Sequence, residues 1–270
     1  MEIFSCCESS PVNIQKLTEL SRKSSGFLTN KIRSKIWPKL LGINRYEIVD
    51  YKKLIKSHRD ERQVRVDIDR SLWSLDCARN WGEKRLNRKR ADLSNVIIAL
   101  LSNNPSYFYF QGLHDVVSVL LLVFNDNPMA FVASEVICQR YLADFMRRDF
   151  SSLSKMMKLI MSLIQFADEE LYKFLESSGI EPFFATSWLL TWLSHDIRNP
   201  SIFSFSDVLS ALGSLEQIAR MFDVLLCSPP EYCFYLCASV RILFFLLSSS
   251  LPLSPYLPLV SLSFFIEKKF

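Results

Sequence analysis

Glycine is the rarest structural punctuation in this chain: 6 residues in 270, against 21 phenylalanines. A hairpin-rich sheet protein needs glycine at its turns, and a chain this poor in it must turn by other means or turn seldom. The apolar residues also recur at helical spacing. Val96, Ile97, Leu100 and Leu101 form one buried stripe, and strict apolar–polar alternation over a strand length is scarcely present. These features predict an all-α array, and 270 residues with 49% hydrophobic content suffice for one sizeable core.

Breaks along the chain delimit the helices. Ile14, Leu17 and Leu20 open a short helix that ends in Ser24-Ser25-Gly26. Asn30 reads as the N-cap of the next, which runs through Ile32, Ile36, Trp37, Leu40 and Leu41 to Gly42. Pro38 inside it predicts a kink or a broken turn. Asn44 to Arg62 is polar, with weak periodicity. A helical pattern from Leu72 to Leu101 is interrupted by Trp81-Gly82, and a strongly apolar helix is expected from Gln111 to Phe124. Further helices are expected at about 129–146, 152–176, 182–194 and 215–227. Met156, Met157 and Met161, like Trp188 and Trp192, read as core.

The net charge of +4 and pI near 8.6 do not mark a nucleic-acid binder. The densest basic run has five cations within Lys84–Arg90, without interleaved aromatics. It reads as a solvated helix face, able to meet an acidic protein or an anionic membrane surface. Seven cysteines without a CxxC pair read as reduced thiols of a cytosolic domain, and no metal-ligand cluster is present. The N-terminus lacks the apolar core of a secretory signal.

Self-contained catalysis finds no support. There is no GxxxxGK[ST] loop, no GxSxG elbow and no HExxH pair. His58, His114 and His195 are far apart. The adjacent pairs His114-Asp115 and His195-Asp196 point about 100° apart on a helix, and such neighbours rarely act together.

Three short patterns belong together. The first is G-x6-R-x3-W-x2-LLG, from Gly26, Arg33, Trp37, Leu40, Leu41 and Gly42. The second, Val64 to Ser71, resembles IxxDxxRT with Val for Ile and Ser for Thr. The third, Tyr109-Phe110-Gln111-Gly112-Leu113-His114-Asp115, resembles YxQGxxD. In this order within a helical chain they resemble the TBC domain of Rab GTPase-activating proteins, and the strings DxxRSL and YxQGxHD most resemble its member 20 branch. The resemblance spans about residues 26–240, and implies a multi-helix array of two helical subdomains. Residues 1–25 would then be an N-terminal extension and 241–270 an apolar Ser/Pro-containing tail.

The resemblance implies that the chain has no small-molecule active site of its own. It would instead complete the site of a Rab-family GTPase in its GTP form, with GTP and Mg belonging to that partner and no cofactor or metal held by this chain. Arg70 and Gln111 are the implied arginine and glutamine fingers. A guanidinium neutralises charge on the phosphate oxygens, and a carboxamide both donates to and accepts from the attacking water. Asp67 is expected to steer the guanidinium, Tyr109 to shape the pocket, and Gly112 to let the partner's backbone approach. Arg33 reads as a structural pairing residue and Trp37 as core.

The chain departs from the family pattern at the first motif, with Thr29-Asn30 in place of proline, and after about Val240. Ile242 to Ile266 carries no charge over 25 residues, long enough to cross a bilayer, yet Pro252, Pro255 and Pro258 interrupt it. The tail is therefore read either as membrane-associated or as a terminal core helix to about Leu247 followed by irregular chain. The first reading, with the branch resemblance, implies the cytosolic face of endoplasmic reticulum or Golgi membranes and vesicle traffic of the early secretory pathway. The rival readings are a non-catalytic TBC-like scaffold that binds a GTPase, and a membrane-bound helical protein.

Overall fold

A computed structural model describes residues 2–9, 11–72, 75–149, 151–194 and 214–249. His195 and the tail from residue 250 onward, including the three prolines, lie outside the described residues, and with them the expected membrane contact. Among the described residues there is no strand. No described helix is long and apolar enough to cross a membrane.

Twelve helices are described: α1 (Glu2–Glu8), α2 (Ile14–Arg22), α3 (Asn30–Leu40), α4 (Glu61–Asp69), α5 (Glu83–Asn103), α6 (Leu113–Phe124), α7 (Asn127–Ile137), α8 (Ser151–Ala167), α9 (Glu169–Ser177), α10 (Thr186–Thr191), α11 (Leu215–Leu226) and α12 (Tyr232–Ser249). Their starts are set by side chains that satisfy otherwise orphaned N–H groups. Thr29, not Asn30, caps α3: its Oγ1 accepts from the Ile32 N–H at 3.4 Å. Asp126 caps α7 by accepting from the Met129 N–H at 3.0 Å. The single helix expected over 152–176 is two, because Asp168 accepts from the Leu171 N–H at 3.0 Å and starts α9 afresh. The helix expected over 182–194 is a 3-10 turn (Pro182–Ala185) followed by the short α10, which ends where Trp192 turns left-handed at φ 51°.

Pro38 does not break α3. Proline removes the hydrogen bond that would reach the carbonyl four residues back. That carbonyl, on Ser34, instead accepts from the Arg45 guanidinium, so the loop after α3 repairs the defect.

The core is centred on α6, where ten of twelve residues are buried. Helices α3, α5, α7, α10 and α11 all pack against it. In this first group Trp37 lies between Phe124 and Phe222, with ring centroids 5.9 and 5.8 Å apart. A second group is built on α8, which packs against α9 and α12, while α10 contacts both α6 and α12. Residues before the first motif are built into the first group: α2 packs on α11 and buries Leu17 and Leu20. Trp188, Trp192 and Met157 are buried, whereas Met156 and Met161 are half-buried against the core.

The first motif forms a buried polar knot beneath this core. Arg33, 1% exposed, donates from Nε to both Asp223 carboxylate oxygens at 3.1 Å, and also pairs with Glu216. Asp223 accepts in addition from the Trp37 indole at 2.9 Å and the Phe27 N–H at 3.0 Å. Burial pushes the Asp223 carboxyl upward, and the Arg33 charge is the leading influence that opposes it.

Candidate functional site

The second and third motifs meet between α4 and the start of α6. Asp67 faces inward from α4 and is buried, while Arg70, the residue that closes the helix, is exposed. The chain around Arg70 is fastened on both sides. Its own N–H reaches the Asp67 carbonyl at 3.2 Å, and the Ser71 N–H and hydroxyl both donate to the Ile68 carbonyl at 2.9 and 2.7 Å. Arg90 of α5 clamps the Ser71 carbonyl with Nη2 at 3.0 Å and Nε at 3.3 Å. Leu72 then turns the chain at φ 69°. The guanidinium of Arg70 makes no hydrogen bond or ion pair with another described residue.

The loop that carries Gln111 is fixed just as closely. Phe108 donates its N–H to the Met146 carbonyl at 2.8 Å, and Tyr109 donates its own to the Asp60 carboxylate at 2.9 Å. The Arg59 guanidinium lies 3.7 Å from the Phe108 ring centre and donates to the Tyr107 carbonyl at 2.6 Å. Phe110 is buried against Phe145. Gln111 is exposed between these anchors, and its side chain has no hydrogen bond to another described residue.

One hydroxyl joins the two motifs. Tyr109 donates its O–H to Asp67 Oδ2 at 2.9 Å, and its oxygen lies 2.9 Å from His114 Nδ1. The phenol has a single proton, which goes to the carboxylate, so the Nδ1 proton of His114 must complete the second bond. Asp67 Oδ1 accepts from the Gln63 carboxamide at 3.0 Å. Burial, followed by the Asp67 charge, pushes the Tyr109 phenol upward, so it stays a donor at neutral pH. The chain Gln63–Asp67–Tyr109–His114 therefore links α4, three residues before Arg70, to the loop two residues before Gln111.

This geometry departs from the roles expected of two supporting residues. The Asp67 carboxylate bonds Tyr109 and Gln63, not the Arg70 side chain, and meets Arg70 only through the backbone. The close approach that Gly112 permits is intramolecular: at φ 118°, an added Cβ would lie 3.0 Å from Thr191 Cγ2 and 3.4 Å from the Leu190 carbonyl oxygen. His114 is the residue that sequence reasoning set aside. It is buried, bonded to Tyr109, and its Nε2 lies 3.6 Å from Asp115 Oδ2. Adjacency had hidden its use, because its principal partner sits five residues back on a loop and not on its own helix.

Comparison with known proteins places the chain in a family. The family model of the Rab-GTPase-TBC domain matches residues 30–248. TBC1 domain family member 20 of Homo sapiens is 28% identical over 241 residues, covering 88% of this chain and 55% of that protein. The GTPase-activating protein gyp10 of Schizosaccharomyces pombe is 27% identical over 231 residues, covering 84% and 57% respectively. The chain thus spans about half the length of the curated relatives it matches. Two solved structures share the fold. The Ypt/Rab-GAP domain of Gyp1p superposes with a TM-score of 0.69 at 14% identity, covering 98% of this chain and 94% of that one. The Chlamydomonas flagellar RabGAP TBC domain gives 0.64 at 16% identity, covering 86% and 72%. This chain belongs to the Rab-GTPase-TBC domain family.

Proposed function

We propose that this protein accelerates GTP hydrolysis by a Rab-family small GTPase in its GTP form. Arg70 enters the partner's site and neutralises charge on the transferring phosphoryl group, while Gln111 orients the attacking water. The observation that carries the reading is the pairing of opposites around these two residues. Both side chains are exposed and make no polar bond to another described residue, yet each sits on backbone fastened at several points, and one part-buried network joins their supports. Such preorganisation is what a group must have to stabilise a transition state without reorganising during the reaction. The names of the relatives, which include GTPase-activating proteins, support the same activity.

The partner brings GTP and Mg, and this chain contributes no cofactor or metal. Asp67 and Tyr109 hold the two supports in register, and Gly112 sets the packing of α6 on α10. The catalytic module takes in α2, which packs on α11, and runs to the end of α12 at Ser249, and the apolar segment that follows meets a membrane. On that reading the protein acts on the cytosolic face of endoplasmic reticulum or Golgi membranes, in early secretory traffic.

Single-turnover GTP hydrolysis across a panel of Rab GTPases tests this, using wild type, Arg70→Ala and Gln111→Ala. Acceleration that collapses in both variants is expected, and it would also identify the partner. A folded wild type that accelerates none of them contradicts the catalytic reading and favours a non-catalytic GTPase-binding module.

A further inference from the structure

The two residues that precede α4 are committed to a distant loop. Asp60 stands at the N-cap position of α4, where an aspartate ordinarily accepts from N–H groups of its own first turn. Its side chain makes no such bond. Its Oδ2 accepts instead from the Tyr109 N–H at 2.9 Å, 49 positions along the chain. Arg59 reaches the same loop beside it. Its Nη2 donates to the carbonyls of Tyr107 at 2.6 Å and Pro105 at 3.3 Å, and its Cζ stands 3.7 Å from the centre of the Phe108 ring. The pair is itself held: Arg59 Nε lies 3.9 Å from Asp60 Oδ2, and the Asp60 N–H donates to His58 Nδ1 at 3.2 Å.

These contacts fall on the residues that lead into Gln111. Arg59 or Asp60 grips Pro105, Tyr107, Phe108 and Tyr109 in turn. The other end of the same helix carries Arg70, ten residues on and about 15 Å along the axis. Helix α4 is therefore one rigid bar that presents Arg70 at its end and holds the approach to Gln111 at its start. The bond from Tyr109 to Asp67 ties side chain to side chain between these points, whereas Arg59 and Asp60 hold the loop backbone itself.

We infer that Arg59 and Asp60 are positioning residues for Gln111, which set where its carboxamide stands relative to the Arg70 guanidinium. The inference rests on the proposed function, since the placement of a carboxamide matters only to a reaction in which it takes part. Neither residue has to touch the nucleotide, because both act on the chain two to six positions before Gln111. A loop released there would let the carboxamide drift from the water it orients, and a displacement of about 1 Å can cost as much as about 10² in rate.

The test uses the full chain with Arg59→Ala, Arg59→Lys, Asp60→Ala and Asp60→Asn, each alone and combined with Gln111→Ala, all checked for cooperative thermal unfolding. Single-turnover hydrolysis is followed on the Rab GTPase that the wild type accelerates most. A range of chain concentration separates the saturating rate from the half-saturation point. Arg59→Ala and Asp60→Ala are each expected to lower the saturating rate about tenfold, with half-saturation within about twofold of wild type. Asp60→Asn, which keeps an acceptor oxygen for the Tyr109 N–H, should restore most of the rate. Arg59→Lys should restore less, because an ammonium lacks the flat face that lies on Phe108. In the Gln111→Ala background the same substitutions should change the residual rate less than about twofold, as befits residues that act through Gln111. Amide hydrogen exchange over residues 105–111, measured without any GTPase, should quicken in both alanine variants.

An unchanged saturating rate, a loss confined to half-saturation, an undiminished effect beside Gln111→Ala, or unchanged exchange would each overturn this inference and leave the proposed function standing. A wild type that accelerates no GTPase, or a Gln111→Ala variant that loses no rate, would contradict that function and this inference with it.

Discussion

Two arginines drawn from neighbouring motifs do opposite things. Arg33 is 1% exposed and committed to Asp223, Glu216 and Asn30, with Trp37 and Phe27 completing the same carboxylate's shell. Arg70 is exposed at the end of α4, with its backbone fixed and its guanidinium unengaged by any other described residue. A charge buried with all its partners locks the structure, because removing one partner strands the other in a low-dielectric interior. A charge held at the surface without partners adds little to folding and keeps its donors for another molecule. The first arginine should therefore be read in stability, and the second in reaction rate.

That contrast can be broken in several places. Arg33→Ala should have the largest effect on folding, about 3–5 kcal/mol, because Asp223 loses its counter-charge while 0% exposed. Urea unfolding would measure it, and a loss under 1 kcal/mol would show that Asp223 is accommodated without its arginine. Gly26→Ala tests the same knot from the backbone. At φ 48°, the new Cβ would stand 2.5 Å from Arg220 Cδ and 2.6 Å from Asp223 Oδ2, and a cost of about 2–3 kcal/mol is expected in the same assay. Arg70→Ala, in contrast, should fall within about 0.5 kcal/mol of wild type.

Tyr109→Phe sharpens the other side. The ring is kept, but the hydroxyl that joins Asp67 to His114 is lost, and the expected result is about a tenfold fall in kcat with KM nearly unchanged. A change confined to KM would mean that the network shapes docking and not the reacting geometry. The smallest effect is a pH dependence at the loop before α4. Burial, the leading cause, pulls the His58 imidazole below its ordinary value, so the folded protein favours the neutral ring. The unfolded chain takes up the proton first as pH falls through about 6.5, so this stabilisation is present above that pH and is lost below it. Unfolding midpoints at pH 5 and pH 7.5 should draw slightly closer together in His58→Gln.

What was legible in the sequence follows the range of the interactions concerned. The α5 stripe, the stop at Asn125 and the left-handed Gly42 are fixed by residues a turn apart, and they appear where periodicity and turn chemistry place them. The division at Asp168 was also local, but a capping aspartate was masked by apolar residues continuing on both sides. The repair of Pro38 depended on Arg45, beyond the helix that the proline interrupts. Nothing near Arg33 in the chain names Asp223, which lies 190 positions away. At the candidate site the motifs marked Arg70, Gln111 and Tyr109 by resemblance. The bond from Tyr109 to Asp67 spans 42 positions, and with it the part played by His114 emerges only when α4 is packed against the start of α6.

The most direct test of the central contrast is phosphate release from the partner GTPase under single-turnover conditions, with Arg70→Ala and Arg70→Lys beside wild type and with affinity measured in parallel. The account predicts a fall of at least about 10³ in the stimulated rate for alanine, incomplete rescue by lysine, which lacks the planar fork, and affinity within about threefold of wild type. A stimulated rate that survives Arg70→Ala, or a loss that lies wholly in affinity, would contradict it.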